Sequence, residues 1–142
     1  ARFRAFYPAI EGIFFDEMSN RPGDEAYYRL LTDFCASQGY ALTIGNPGTD
    51  TLPSYVTTVD ILIIYERRGL PGLGTLAGWH RDHDPRSFGV LPYGVPAFDA
   101  SFVRRARRYV GHLYITDGEG ADPWRRLSSY FEPLLQALDD PR

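Results

Sequence analysis

The sequence contains no lysine, a single cysteine and no long apolar run. Its 15 basic residues are all arginine and are outnumbered by 18 acidic residues, so the formal net charge is -3. A slightly acidic chain lacks the overall positive field on which non-specific nucleic-acid binding depends, and no nucleic-acid partner is expected. The single cysteine, Cys35, excludes an internal disulfide. No apolar run reaches the roughly 18 residues of a membrane helix, so no membrane span is expected.

The length of the chain limits its architecture. With 142 residues, 44% hydrophobic and 23% charged, the sequence is typical of one globular domain over residues 1–142. A complete eight-unit β/α barrel needs at least about 200 residues and is excluded. No charged segment followed by an apolar one comes after Ala1, so any secretion signal is absent from this sequence or has been removed.

Five short apolar runs predict the strands of successive β/α units. None of the runs alternates cleanly between polar and apolar residues, which is typical of parallel strands that are covered on both faces. The spacing between the runs leaves room for helices or long loops, as in an α/β fold with about five parallel strands. The predicted strands are 12–17, 40–46, 60–66, 88–93 and 110–117.

Cap residues and helical spacing predict three helices. The first begins at Asp24 and ends at Gly39, and its apolar stripe is expected to bury Tyr27, Leu30, Leu31, Phe34 and Cys35. On that stripe Cys35 is a structural thiol and not a nucleophile. The second helix spans 99–109, and the third begins at Asp122 and Pro123 and is kinked by Pro133.

Two other segments allow more than one interpretation. Four arginines at positions 104, 105, 107 and 108 favour either a nucleic-acid surface or a solvated outer helix face, and the acidic whole chain favours the second. Residues 67–87 are rich in glycine and proline and are predicted to form a long loop. Loops of this length in compact domains are usually functional or mobile.

Polar residues at the ends of the predicted strands are the first functional candidates. Ligands of parallel α/β folds bind at the carboxyl ends of the strands. Where an apolar strand ends in an acidic residue, desolvation can raise the pKa of its carboxyl group. Glycoside hydrolysis uses two acidic residues in different environments. Acids at strand ends also cap helices and pair with arginines in proteins without catalysis. The candidates are Asp16, Glu17, Asn46, Tyr65, Glu66, Tyr93 and Asp117.

Two loops carry weaker signals. Residues 45–49 follow a strand and could hold a phosphate through backbone N–H groups, but Pro47 removes one donor and a tight turn fits better. The segment 80–84 has residue types of a metal site without a third ligand at a recognisable spacing, so no metal and no cofactor are expected. In the same loop, Trp79 and His80 are candidates for a lid or for stacking on a sugar. No serine or cysteine nucleophile motif is present.

Four segments resemble one known family. GIFFDEMSN at 12–20, YALTIGNPGT at 40–49, DILIIYE at 60–66 and YITDGEGADPWRRLSSYFEPLL at 114–135 are similar to spherulation-specific family 4 and occur in the order that the family has. The resemblance covers most of the chain, whereas residues 67–96 carry little of it.

The resemblance implies a polysaccharide-degrading glycoside hydrolase with a (β/α)8 barrel that is secreted or at the cell surface. Its substrate is then an amino-sugar polysaccharide of the galactosaminogalactan type. Carried over to this sequence, the family's motifs imply Asp16 as nucleophile or charge stabiliser and Glu66 as general acid/base. Glu17 is an essential neighbour with an unassigned role.

The family's opening strands have no counterpart in this chain. The sequence therefore looks like the C-terminal five strands of a TIM-like barrel. We expect the open edge of this sheet to be covered either by the missing N-terminal strands or by self-association of the chain. Two alternatives stay open. One is a complete flavodoxin-like domain that binds a phosphorylated ligand at 45–49, and the other is a carbohydrate-binding or structural protein without turnover.

Overall fold

All five predicted strands form one parallel sheet. The computed structural model describes residues 5–139, and every strand lies inside its predicted range. Neighbouring strands pair in chain order, and each pair is parallel. The strands are β1 (Gly12–Phe15), β2 (Leu42–Gly45), β3 (Ile61–Tyr65), β4 (Phe88–Val90) and β5 (His112–Leu113).

The consecutive strand order decides between the two parallel folds. A flavodoxin-like sheet has the order 2-1-3-4-5, whereas this sheet has the order β1-β2-β3-β4-β5. In a β/α barrel each strand pairs with the strand that precedes it in the chain, so the strands follow one another in chain order. The predicted partial TIM-like barrel is confirmed, and the flavodoxin-like alternative is wrong.

Between residues 7 and 139, four helices flank the sheet. They are α1 (Glu25–Ser37), α2 (Leu73–Leu76), α3 (Ala100–Ala106) and α4 (Phe131–Asp139). The predicted long loop between β3 and β4 contains the short α2 and two 3-10 turns, Trp79–Asp82 and Pro85–Ser87. None of the helices within residues 5–139 has the length and apolar character needed to cross a membrane.

The apolar stripe of α1 is only partly buried. Cys35 is buried as expected, and burial raises the pKa of its thiol. In contrast, Tyr27, Leu30 and Phe34 are each more than half exposed, so the prediction that they are buried is wrong. The residue that anchors this end of the helix is the buried Tyr28, whose hydroxyl accepts a hydrogen bond from the Ser19 N–H at 2.6 Å. Helical spacing defines a stripe, but the elements packed against it decide which part is covered.

One of two predicted helix N-caps is present in the structure and the other is not. At α3 the Asp99 carboxylate accepts the Phe102 N–H at 2.9 Å, as an N-cap does. At α1 the Asp24 carboxylate does not cap the helix. It accepts a hydrogen bond from the Ser19 hydroxyl, which ties it to the segment after β1.

The last helix begins nine residues later than predicted. Residues 122–130 are not helical, and α4 starts at Phe131. Pro133 therefore lies in the first turn, where its missing N–H costs no intrahelical hydrogen bond, and it does not divide the helix. The side-chain contacts that hold residues 122–130 in another conformation belong to the candidate site.

The sheet contributes both to a buried core and to an open apolar groove. Fully buried side chains from β3, β4 and α3 include Leu62, Phe88 and Val103. A groove of about 360 Å³ is lined by apolar residues that include Phe14 and Ile63, and Phe14 on the edge strand β1 is 48% exposed. Exposed apolar side chains are what an open sheet edge predicts, and their cover by further strands or by a second copy stays a prediction.

The Gly118→Ala variant is expected to destabilise the chain. A Cβ at Gly118 would overlap the backbone carbonyl oxygen of Pro123, which cannot move aside as a flexible side chain could. Overpacking of this kind costs about 1 to 3 kcal/mol in the free energy of unfolding, which urea titration measures. Gly74→Ala is the matched control, because nothing lies within 4 Å of its Cβ position in α2. Equal stability of the two variants would contradict the tight approach at Gly118.

Candidate active site

The segment after β1 turns sharply at the two predicted acids. Strand β1 ends at Phe15, so the alternation of strand faces no longer applies to Asp16 and Glu17. Glu17 has a φ of 52°, a left-handed conformation that is uncommon for residues other than glycine and that clusters at functional sites. Both acidic residues are exposed, and the Glu17 carboxylate makes no hydrogen bond or ion pair with residues 5–139. Its role stays a prediction.

Asn46 lies at the centre of the candidate site. Only 4% of the residue is exposed. Its backbone is fixed from β1, since its N–H donates to the Phe15 carbonyl and its carbonyl accepts from the Met18 N–H, both at 2.9 Å. Its side-chain oxygen accepts the Gly48 N–H at 3.0 Å, which orients the amide so that Nδ2 faces the neighbouring strand ends.

The Nδ2 group of Asn46 bridges two predicted carboxylates. It donates to Asp16 Oδ1 at 3.1 Å and to Glu66 Oε2 at 2.5 Å. Because both bonds start from one nitrogen, the two acceptor oxygens lie less than about 6 Å apart. Asp16 follows β1 and Glu66 follows β3, and β2 lies between these two strands. Asn46, which follows β2, therefore lies between the two acids.

Trp124 holds the other oxygen of Glu66. Its indole Nε1–H donates to Glu66 Oε1 at 3.1 Å, so each oxygen of this half-buried carboxylate accepts one N–H. The indole contacts Tyr93 at 5.9 Å edge-on and Tyr114 at 6.1 Å between ring centroids. We refer to Asp16, Asn46, Glu66 and Trp124 as the Asn46 cluster.

The sequence places Trp124 in a predicted helix, whereas the structure places it in a non-helical segment beside Glu66. Two signals could have found it. It lies seven residues beyond the strand-end Asp117, within a segment that resembles the family, and it directly follows the Asp122-Pro123 turn. An indole is a donor only, so a half-buried tryptophan near strand-end acids is a natural partner for a carboxylate.

Asp117 anchors the segment that carries Trp124. The Arg126 guanidinium forms two hydrogen bonds with its carboxylate, at 3.0 and 3.1 Å, and the Ser129 N–H adds a third at 3.1 Å. Chiefly through the hydrogen bond from Arg126, these contacts hold the pKa of Asp117 well below its usual range. They also explain why residues 122–130 are not helical. Substrate binding by Asp117 stays a prediction.

The two predicted tyrosines lie beside the cluster in different ways. Tyr93 contacts the Trp124 ring, which places it next to Glu66. Tyr65 precedes Glu66, but its hydroxyl donates to the Gly69 carbonyl at 3.0 Å, and burial raises the pKa of its phenol. Tyr65 therefore holds the turn after β3, and sugar binding by either tyrosine stays a prediction.

Trp79 and His80 pack in a separate environment. His80 is 2% exposed, its Nε2 lies 2.9 Å from Asp50 Oδ1, and its ring stacks on Trp79 with centroids 4.0 Å apart. Both rings also contact Phe88 at the start of β4. No hydrogen bond or ring contact joins them to the Asn46 cluster within the described residues. Their predicted role as a lid or sugar platform therefore gains no geometric support.

The glycine- and proline-containing loop 45–49 forms a tight turn. In the loop 45–49 the Gly48 N–H is already used by the Asn46 side chain, which leaves a tight turn and not a phosphate cradle. Among residues 5–139, no group of three or more His, Cys, Asp or Glu side chains is placed to hold a metal ion.

Comparison with known proteins identifies the family of this chain. The sequence model of the family named spherulation-specific family 4 matches residues 2–138. The chain belongs to spherulation-specific family 4. Its strand-end acids and their bridging asparagine thus lie within the family's domain, in the blocks 12–20, 40–49 and 60–66.

Two relatives define how much of a longer family member this chain spans. Spherulin-4 of Physarum polycephalum is 32% identical over 145 residues, which cover 93% of this chain and 44% of Spherulin-4. The crystal structure of Aspergillus clavatus Sph3 in complex with GalNAc superimposes with a TM-score of 0.79 at 22% identity, over 97% of this chain and 62% of Sph3. The chain thus shares the Sph3 fold and spans less than two thirds of either relative.

The Asn46→Asp variant is expected to place three carboxylates at one point. Mutual repulsion between ionised carboxylates destabilises the folded state, so the loss of stability grows as the pH rises through the range in which carboxyls ionise. We expect a loss of about 2 kcal/mol in the free energy of unfolding at pH 7, and most of it recovered below the ordinary carboxyl pKa of about 4.

Urea unfolding at the two pH values measures this effect. Gln136→Glu, which adds one charge at an exposed position of α4, is the matched control and is expected to change little. A pH-independent loss in Asn46→Asp would contradict the close approach of the three side chains.

The Arg126→Gln variant tests the anchor at Asp117. A depressed pKa in the folded state stabilises the protein above the unfolded pKa of about 3.9, and this contribution disappears as the pH falls through the folded pKa. The difference in Tm between wild type and variant is therefore expected to be largest near pH 7 and to shrink at low pH. Arg125→Gln, its exposed neighbour, is the control. An equal Tm difference at pH 7 and pH 2 would contradict the assignment.

Proposed function

We propose that this chain is the catalytic part of a glycoside hydrolase that cleaves an amino-sugar polysaccharide. The observation that carries the proposal is the Asn46 amide, which holds the carboxylates of Asp16 and Glu66 at one point beyond the sheet. Two carboxyls about 5 to 5.5 Å apart are what a retaining glycosidase uses, whereas an inverting enzyme leaves about 6.5 to 9.5 Å for a water. The close pair favours the retaining mechanism.

In the proposed first step, Asp16 attacks the anomeric carbon while Glu66 donates a proton to the leaving oxygen. The glycosidic C–O bond breaks, a glycosyl ester forms on Asp16, and the aglycone leaves with the proton of Glu66. Each oxygen of Glu66 accepts only one N–H, so a lone pair remains available to carry that proton. Asp16 is the more exposed of the two acids and the more accessible to a sugar ring.

In the proposed second step, Glu66 acts as general base. It removes a proton from a water molecule that attacks the anomeric carbon, and the Asp16 carboxylate is released. Asn46 and Trp124 are positioning residues in both steps, since their N–H groups orient the Glu66 carboxylate. Glu17, with its strained backbone beside Asp16, is proposed to contact the substrate.

The proposed sugar is N-acetylgalactosamine or galactosamine. Sph3, which shares this fold, was crystallised with GalNAc. Beside Glu66, the rings of Trp124 and Tyr93 provide aromatic surface of the kind that packs against sugars. We further propose that the chain acts outside the cell or at its surface, as part of a barrel whose other strands cover the exposed Phe14 face.

Release of reducing ends from a galactosamine-containing polysaccharide tests the proposal. Asp16→Asn and Glu66→Gln are expected to lower kcat by about 10²- to 10⁴-fold, because each removes a charge or a proton that the reaction uses. Glu132→Gln, at an exposed acid of α4, is the matched control and is expected to keep full activity.

Two results would overturn the assignment in different ways. Wild-type turnover in Asp16→Asn and Glu66→Gln would place the chemistry elsewhere in the molecule. Saturable GalNAc binding with no turnover by wild type would favour the second candidate, a carbohydrate-binding protein without catalysis.

A further inference from the structure

A polar cavity lies on a different part of the molecule from the Asn46 cluster. Its volume is about 360 Å³, and the segments that form it precede β4 and β5, whereas the residues of the cluster follow the ends of β1, β2, β3 and β5. The cavity is lined by His80, Arg81, His83, Pro85, Arg108 and Tyr109. These residues come from the two segments whose charge patterns the proposed hydrolase does not use.

The side chains that line this cavity are basic or neutral. It holds two guanidinium groups and two imidazoles, and no carboxylate lines it. The side chains of Arg81 and Arg108 make no hydrogen bond or ion pair with residues 5–139, whereas Arg68, Arg86 and Arg126 each pair with a carboxylate. The cavity therefore concentrates positive charge in a chain that is acidic overall.

His80 adds a buried group without a partner. Its Nε2 lies 2.9 Å from the Asp50 carboxylate, which only accepts hydrogen bonds, so the Nε2 position carries the proton. Its Nδ1 is buried and makes no hydrogen bond with residues 5–139. Buried polar atoms without partners are rare in folded proteins, so His80 is an unusual group in the wall of this cavity.

The acids near this cavity are engaged elsewhere or exposed. The Asp84 carboxylate accepts hydrogen bonds from the backbone and the guanidinium of Arg86, and the Asp50 carboxylate faces His80. Asp82 is exposed and does not line the cavity. None of these three carboxylates forms a hydrogen bond or ion pair with the side chain of Arg81 or Arg108.

We propose that this cavity is a binding site for an oxyanion, either phosphate or sulfate, free or carried on a sugar. Arginine suits such groups because its planar fork donates two parallel hydrogen bonds to an oxyanion. One water occupies about 30 Å³ of liquid volume, so the cavity has room for an oxyanion together with part of its hydration shell or an attached group.

Titration with inorganic phosphate at constant ionic strength tests the site. The indole Nε1–H signal of Trp79 is the reporter, because its ring stacks on His80. Wild type is expected to bind phosphate saturably, and Arg81→Gln and Arg108→Gln are each expected to raise the Kd at least about tenfold. Arg104→Gln, at an exposed arginine that does not line the cavity, is the matched control and is expected to keep the wild-type Kd.

Each outcome of the titration bears on the proposal. No saturable shift of Trp79, or an equal effect of Arg104→Gln, would overturn it. A parallel titration with galactose 6-phosphate identifies the source, since tighter binding than inorganic phosphate points to a sugar-borne group. Asp16→Asn is expected to leave phosphate binding unchanged, so failure of the proposed hydrolase and failure of this site are distinguishable.

Discussion

The side-chain amide of Asn46 is the contact on which the candidate site depends. Two carboxylates at the ends of β1 and β3 would repel each other across β2, and one NH₂ group with two protons satisfies both of them. The amide is itself held by the Gly48 N–H and by backbone bonds to the segment after β1. Asn46 is only 4% exposed, and its side-chain oxygen and nitrogen are both hydrogen-bonded, so the side chain is held rigidly. This rigid bridge keeps the carboxylates of Asp16 and Glu66 at a fixed separation.

The loop after β5 completes the site from the other side. Asp117 fixes this loop through Arg126, and the loop in turn delivers the Trp124 indole to Glu66. Gly118 allows the close approach of Pro123 that this path requires. The carboxylate of Glu66 is thus oriented by donors from two segments of the chain, one at residue 46 and one at residue 124. Glu66 therefore accepts two side-chain hydrogen bonds, whereas Asp16 accepts one.

The strands and their terminal acids could be predicted because the local sequence determines them. A run such as 60–66 is apolar on both faces and ends in Glu66, and in parallel sheets polar groups at that edge meet. The role of Trp124 could not be predicted, because its partner lies 58 residues away and is reached only through a non-helical path. The exposure of Leu30 on α1 could not be predicted for a related reason. Helical periodicity identifies the apolar stripe of a helix but not which other elements of the fold cover it.

The most direct test of the account is a titration with GalNAc followed by the two indole Nε1–H signals of the chain. Trp124 donates to Glu66, whereas Trp79 packs on His80 away from the cluster and serves as the internal reference. If GalNAc binds at the Asn46 cluster, the Trp124 signal shifts saturably while the Trp79 signal does not, and the Trp124 shift is lost in Asn46→Asp. A shift of Trp79 alone, or a Trp124 signal that does not respond to the sugar, would contradict it.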